Sequence, residues 1–425
     1  MRKIGTQMAL LLVAVLLLPG LAFAGGQGEE EEAADELEIF SWWTAGGEEE
    51  GLLALFDVYN EEYPDVEVIN ATVAGGAGTN AKAVLASRMQ GGDPPDSFQV
   101  HAGRELIDTW VVDGFMEPVT YILEDNDWMD AFPEEVIDII SYEGEVYSIP
   151  VNIHRSNVMW YNKAVFEEHG LTPPSTAEEF FEVAEELQEA DITPLALGDT
   201  NVWPSTHLME SVLVGALGPE GYRGLWTGET SWDDEGVRAA LETFDRMLDY
   251  VNDDHSALTN IDAAQYVADG DAAMTVMGDW VHGYYLSQEL EPDEDYGWAP
   301  TPGTDGVFIM LSDSFGLPKD VSHPVNVERW LEVLASVEGQ DAFNPIKGSI
   351  PARTDTDRSL YDVYLLSAMD DFESDAIVPS LAHGSAASES WLTDFNDIMN
   401  VFVSDRDVDE TMRQMQRAAE RYISD

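Results

Sequence analysis

The sequence predicts an α/β fold built as two lobes, and three observations point there. Residues 37–112 run strand, helix, strand, helix, strand, which is the doubly wound arrangement. Residues 164–296 switch to a mainly helical pattern, read as a second lobe. The chain has 425 residues, enough for two or three domains with a large core.

The first strand is the most informative stretch. Leu37, Ile39 and Ser41 alternate with Glu38, Phe40 and Trp42, a two-residue period rich in apolar and aromatic side chains. Trp43, Gly46-Gly47 and Glu48 follow, where strand hands over to helix. In open α/β sheets ligands gather at the carboxyl ends of strands. An indole face suits the C–H-lined face of a pyranose, and a carboxylate such as Glu48 accepts sugar hydroxyls in charge-assisted hydrogen bonds. Trp42 and Trp43 can equally fill a core, with Glu48 merely opening a helix. The stretch alone leaves both readings open.

The remaining elements follow in order. Leu52, Leu53, Leu55, Phe56 and Tyr59 mark a helix over residues 51–62, stopped by Pro64. A strand is expected over 66–69 and a helix over 82–90. Between them lies a turn with Gly75, Gly76 and Gly78. It lacks the Lys-Ser/Thr of a P-loop and the G-x-G-x-x-G spacing, so it fits close backbone approach to a neutral ligand as well as a phosphate cradle. Residues 97–101 form a strand ending in His101, and 104–112 a helix. Residues 141–152 read as a hairpin running into an extended crossing segment that carries Asn152. Within 164–296, loops are expected at 173–174, 198–204 and 218–228. Residues 270–280 are an apolar strand ending in a polar turn at Asp279-Trp280. Residues 297–302 with 310–318 read as a second crossing, and 340–350 as a third.

Composition narrows the partners. The chain has 83 acidic and 19 basic residues, a formal charge of −64. A field of that sign repels nucleic acid and anionic membranes. The carboxylates are scattered among patterned apolar positions, so they cover a folded surface of the kind suited to high salt. There are no cysteines. That excludes disulfides, thiolate metal sites, a cysteine nucleophile and a lipid anchor on an N-terminal cysteine. The eight histidines lack HExxH or similar spacing, and the Asp-rich turns lack the EF-hand pattern, so no metal is expected. Arg2 and Lys3 precede an apolar run over 8–18, Pro19-Gly20 end it, and Ala22-Phe23-Ala24 follow. This predicts a signal peptide over 1–24, cleaved after Ala24, and a disordered acidic leader over 25–36.

Nine motifs run in order along the mature chain. They are Ser41-Trp42-Trp43, Ala74-Gly75-Gly76-Ala77-Gly78, Gly92-Asp93-Pro94-Pro95, Gln99-Val100-His101-Ala102-Gly103 and Pro150-Val151-Asn152-Ile153-His154-Arg155-Ser156-Asn157, then Val276-Met277-Gly278-Asp279-Trp280, Leu311-Ser312-Asp313-Ser314-Phe315-Gly316, Phe343-Asn344-Pro345-Ile346-Lys347-Gly348-Ser349 and His383-Gly384. With them the chain resembles the extracellular sugar-binding proteins of ABC importers, in the branch that binds glucose and related monosaccharides. The resemblance implies a two-lobed periplasmic-binding-protein fold with the ligand cleft at a multi-strand hinge. It puts residues 37–148 with 301–345 in the first lobe and 149–300 with 346–425 in the second, mainly helical one. Trp42 and Trp43 would form an aromatic wall, with Glu48 and His101 bonding hydroxyls near the Gly75-Gly76 backbone. Trp280 would face them, and Asp313, Lys347, His383 and Asn152 would complete the set. A monomer is implied, secreted across the inner membrane without lipid. It would bind glucose, galactose or mannose and deliver it to a membrane permease, with no cofactor and no catalysis. One departure is Asn260, near where relatives often carry a tryptophan.

Read without the resemblance, the same residues have plainer roles. Asp279 can cap a helix, Asp313 a turn, Lys347 can pair with any carboxylate, and His101 and His383 can be satisfied structural histidines. A secreted glycoside hydrolase shares aromatic platforms and paired carboxylates, Glu48 with Asp313 for example. A sugar-sensing partner of a chemoreceptor is compatible with the same site.

Overall fold

The structure is a computed structural model that describes residues 36–75 and 78–423. The expected signal peptide, the leader up to residue 35 and Gly76 lie outside the described residues.

Among the described residues, three sheets of three or more strands and one two-stranded hairpin, Ser141–Tyr142 with Glu145–Val146, organise the chain. The first runs in the order Glu67–Asn70, Glu36–Phe40, Ser97–His101, Asp313–Pro318 and Met116–Glu117, with Ser148–Pro150 also paired to Asp313–Pro318. Its first three strands are parallel, and the helices Gly46–Glu62 and Thr79–Gly91 connect them. Parallel strands need such crossover helices, so both faces are covered. The strand Asp313–Pro318 then joins antiparallel and sets Asp313 opposite His101. The helix Gly46–Glu62 starts earlier than its leucine pattern indicates. It lies so close to the helix Val337–Lys347 that a Cβ on Gly47 would sit 2.5 Å from the Ile346 carbonyl oxygen.

The second sheet is Thr193–Ala196, Ala272–Val276, Val158–Asn162 and Tyr296–Pro300. The mainly helical reading of 164–296 therefore missed strand structure. Thr193–Ala196 is four residues long with Pro194 inside, which hides its pattern. Tyr296–Pro300, expected in a crossing, instead pairs antiparallel with Val158–Asn162, setting Trp298 opposite Trp160. The loop expected over 218–228 is helical. The segment Trp203–Thr227 continues past a break at Gly218 (φ 68°, ψ 173°), which precedes Pro219.

The third sheet is Ala376–Pro379, Val307–Leu311 and His154–Arg155. Ser312 thus separates a strand of the third sheet from one of the first. Beside it, Ile153 and Ile350 exchange backbone hydrogen bonds of 2.7 and 3.0 Å, and the Val151 amide donates to the Asp313 carbonyl at 2.9 Å. Three segments of chain therefore run between the sheets side by side. One large core gathers Trp43, Phe315 and Trp330, and another Phe180, Trp232 and Phe395. Among the described residues no helix is long and apolar enough to cross a membrane.

Candidate functional site

A cavity of about 780 Å³ opens where the first-sheet strands end, facing the helices Trp280–Ser287 and Glu389–Asp405. Small-molecule sites typically span about 300–1,000 Å³. Trp42, Trp43, Glu48, Gly75, His101, Trp280, Asp313, Lys347 and His383 all line it. Asn152 does not. It is fully buried behind the wall, where its amide donates to Asp313 Oδ2 at 2.9 Å and its Oδ1 accepts from the Asp313 amide at 2.8 Å. Its role is to hold Asp313.

The two adjacent tryptophans differ. Trp43 is 1% exposed and packs on Phe315 and Phe343, with ring centroids 5.8 and 5.0 Å away. Trp42 is only partly buried and lies 5.1 Å from the His101 ring. The exposed aromatic surface on this side is therefore Trp42, while Trp43 is chiefly core.

The polar groups are fixed from behind. Asp313 is buried, and Gln99 Nε2 donates to its Oδ1 at 2.8 Å. Burial raises its pKa, but the positive charge available at His101, Lys347 and His154, with the Asn152 hydrogen bond, outweighs burial and holds it below the ordinary aspartate value. Lys347 is buried at the end of its helix, donates to Glu48 Oε1 at 3.0 Å, and sits over the Trp43 ring. Glu48 stands in the first turn of the helix Gly46–Glu62, so both readings of it describe the same place. Asp279 does not cap its helix through its side chain. It pairs with His154 Nδ1 and accepts from the Arg155 amide at 3.0 Å, fixing the turn that presents Trp280. Gly278 is required beneath that ring, because a Cβ there would come within 2.1 Å of the indole.

His383 is packed edge-on between Trp280, Trp203 and His207, with centroid distances of 5.0, 5.4 and 5.4 Å. Burial drives its pKa well below the ordinary histidine value, helped by neighbouring His207, His101, Lys82 and His154. Behind it, Glu210 accepts from the Leu381 and Ala382 amides at 2.7 and 3.0 Å, from Ser380 Oγ at 3.0 Å, and from Ser156 Oγ. Burial pushes the Glu210 carboxyl up to about 7 in spite of those donors. His207, Glu210 and His383 bring ligand-type atoms within 4.8 Å of one another. Glu210 already serves the 380–382 loop with both oxygens, so the cluster reads as a support for His383.

Sequence reasoning missed Trp203, Lys82 and Glu389, which also line the cavity. Trp203 adds an indole 6.2 Å from Trp280, in the cavity that Asn260 also lines. Its only local signal is a tryptophan just after the polar residues 199–201 in a stretch read as loop.

The chain matches the family described as bacterial extracellular solute-binding protein over residues 33–341. It belongs to that family. It is 38% identical to an uncharacterised ABC transporter extracellular-binding protein of Pyrococcus horikoshii, over 97% of this chain and 96% of that one. It is 31% identical to a probable sugar-binding periplasmic protein of Mesorhizobium japonicum, over 91% of this chain and 94% of that one. Among solved structures it resembles the bacterial solute receptor AcbH, whose preference is for β-D-galactopyranose, with a TM-score of 0.80 at 18% identity over 91% of this chain and 97% of that one. That likeness shows the fold, the two-lobed α/β architecture of solute receptors.

Proposed function

We propose that the chain captures glucose, galactose or mannose outside the cytoplasmic membrane and hands it to an ABC permease as a soluble, unlipidated monomer. One observation carries the reading. Trp42 and Trp280 line a single cavity with Asp313, whose buried carboxylate is kept ionised by its neighbours. Indole faces take the C–H faces of a pyranose, and an ionised carboxylate accepts its hydroxyls. The sugar-binding relative from Mesorhizobium and the galactopyranose receptor support the ligand class. The ligand contacts would come from Trp42, Glu48, the Gly75-Gly76 backbone, His101, Trp280, Asp313, Lys347 and His383, with Trp43 and Asn152 behind them. Cleavage of a glycoside would need a protonated carboxyl at the bond as well as an ionised one.

The same reading divides the chain at its crossings. The first lobe takes 37–148, and the pairing of Ser148–Pro150 with Asp313–Pro318 favours carrying it on to 150. The pairing of Val307–Leu311 with Ala376–Pro379 favours a return at Ser312, which moves 301–311 into the second lobe. The helix Val337–Lys347 stays with the first lobe because it packs on Gly46–Glu62.

A thermal-shift screen of monosaccharides and disaccharides tests the ligand. A ligand bound only by the folded state raises stability as RT ln(1 + [L]/Kd), so the hexoses should give the largest shifts. Shifts confined to disaccharides would overturn the monosaccharide assignment. Release of nitrophenol from aryl glycosides would overturn the binding role itself.

A further inference from the structure

We infer that Lys82 and Glu389 form a charge latch that joins the two walls of the cleft, with Glu105 positioning both the latch and His101. The inference rests on the proposed two-lobed sugar clamp and deepens it.

Lys82 lies on the helix Thr79–Gly91, which connects two strands of the first sheet. Glu389 opens the helix Glu389–Asp405, which packs on the helices Trp203–Thr227 and Val408–Tyr422 of the other lobe. Lys82 Nζ reaches Glu389 Oε2 at 3.0 Å and Glu105 Oε2 at 2.7 Å. Both latch residues line the cavity, and both keep some exposure, with side chains 24% and 36% accessible. Glu105 is buried, and the oxygen that holds Lys82 also takes His101 Nδ1 at 2.8 Å. The carboxylate therefore orients the His101 ring toward the cavity while it aims Lys82 across it. Burial opposes ionisation of Glu105, yet Lys82 and His101 together pull its pKa down to about 2.

The setting gives the pair its purpose. The chain carries 83 acidic residues against 19 basic ones, so two acidic lobes repel each other on closing. Lysine is used only five times in the chain, and one of the five stands between a carboxylate of each wall. Closure brings Lys82 to Glu389, and sugar bound against His101 bears on the same relay through Glu105. The latch is thus a determinant of how far the cleft stays shut.

The test uses the absence of native cysteines. Ser87→Cys and Asn400→Cys place spin labels on exposed positions of the two helices, and pulsed electron paramagnetic resonance gives their distance distribution. Without sugar, at about 0.05 M salt, Glu389→Gln should shift the distribution to longer distances and shrink the short component several-fold. It should do so although it removes a repelling negative charge. Lys82→Met should behave alike. At about 2 M salt, where the Debye length falls to roughly 2–3 Å, the difference from the parent should largely vanish. D-glucose, D-galactose and D-mannose are then added to each. The parent should close, and Glu389→Gln should need several-fold more of the same sugar. Identical sugar-free distributions in parent and both variants would overturn the latch, as would a difference that salt leaves unchanged. If no hexose moves the parent while the sugar-free difference is present, the latch stands and the monosaccharide assignment fails.

Discussion

At the scale of single residues, neighbours in sequence have different jobs. Successive strand side chains point to opposite faces, so Trp42 and Trp43 diverge even though the strand assignment ends just before them. Trp42→Ala and Trp280→Ala should weaken sugar binding several-fold, since ring stacking contributes about 0.5–1.5 kcal/mol beyond area burial. Trp43→Ala should act mainly on stability, by about 3–5 kcal/mol, because it empties a core position between Phe315 and Phe343. Isothermal titration and urea melts separate the two outcomes. The buried imidazoles predict a pH effect. Burial lowers the His207 pKa to about 3 from an ordinary 6.5, and lowers His383 as well. Below pH 6.5 the unfolded chain takes up protons that these folded sites refuse, so their contribution to stability falls from pH 6.5 towards 3. Glu210 works the other way, its stabilising effect fading as pH rises from 4.5 to about 7. With two imidazoles against one carboxyl, the melting temperature should fall on acidification below pH 6.5, and His207→Gln should flatten the fall.

At the scale of elements, capping and close approach set the terms. Thr176 caps the helix Ala177–Glu189, its Oγ accepting from the Glu179 amide at 3.2 Å. Thr176→Ala should cost about 1 kcal/mol in a denaturant melt and leave sugar affinity unchanged. Gly278→Ala should do more to binding than to melting, because the added Cβ displaces the Trp280 indole. Elements with strong local signals were readable in the sequence. The strand Ser97–His101, the hairpin of Ser141–Tyr142 with Glu145–Val146, and the strand Ala272–Val276 stand where patterning put them. Thr193–Ala196 and Tyr296–Pro300 were not. Short strands beside prolines owe their conformation to the partner strand, and the partner is distant in sequence.

At the scale of the whole molecule, motion and charge make further predictions. A ligand that touches both walls is held more tightly when they are closed, so it shifts the equilibrium toward closure. Small-angle scattering with a saturating hexose should show a smaller radius of gyration, and tryptophan fluorescence should change with the same midpoint. A confirmed ligand that moves neither signal would rule out the clamp. Salt should raise the melting temperature, since a charge of −64 opposes compaction until it is screened. Local pattern and motif order determined the α/β alternation of the first part, the acidic surface and nine of the residues that line the cavity. The tertiary structure decided which of those side chains face the cavity, that Asn152 stands behind Asp313, and that Trp203, Lys82 and Glu389 join the wall. It also brought His207 and Glu210 behind His383. The reason is physical. Periodicity reports which face of an element is buried, whereas a cleft is made where elements from distant parts of the chain meet, and no local period encodes that meeting.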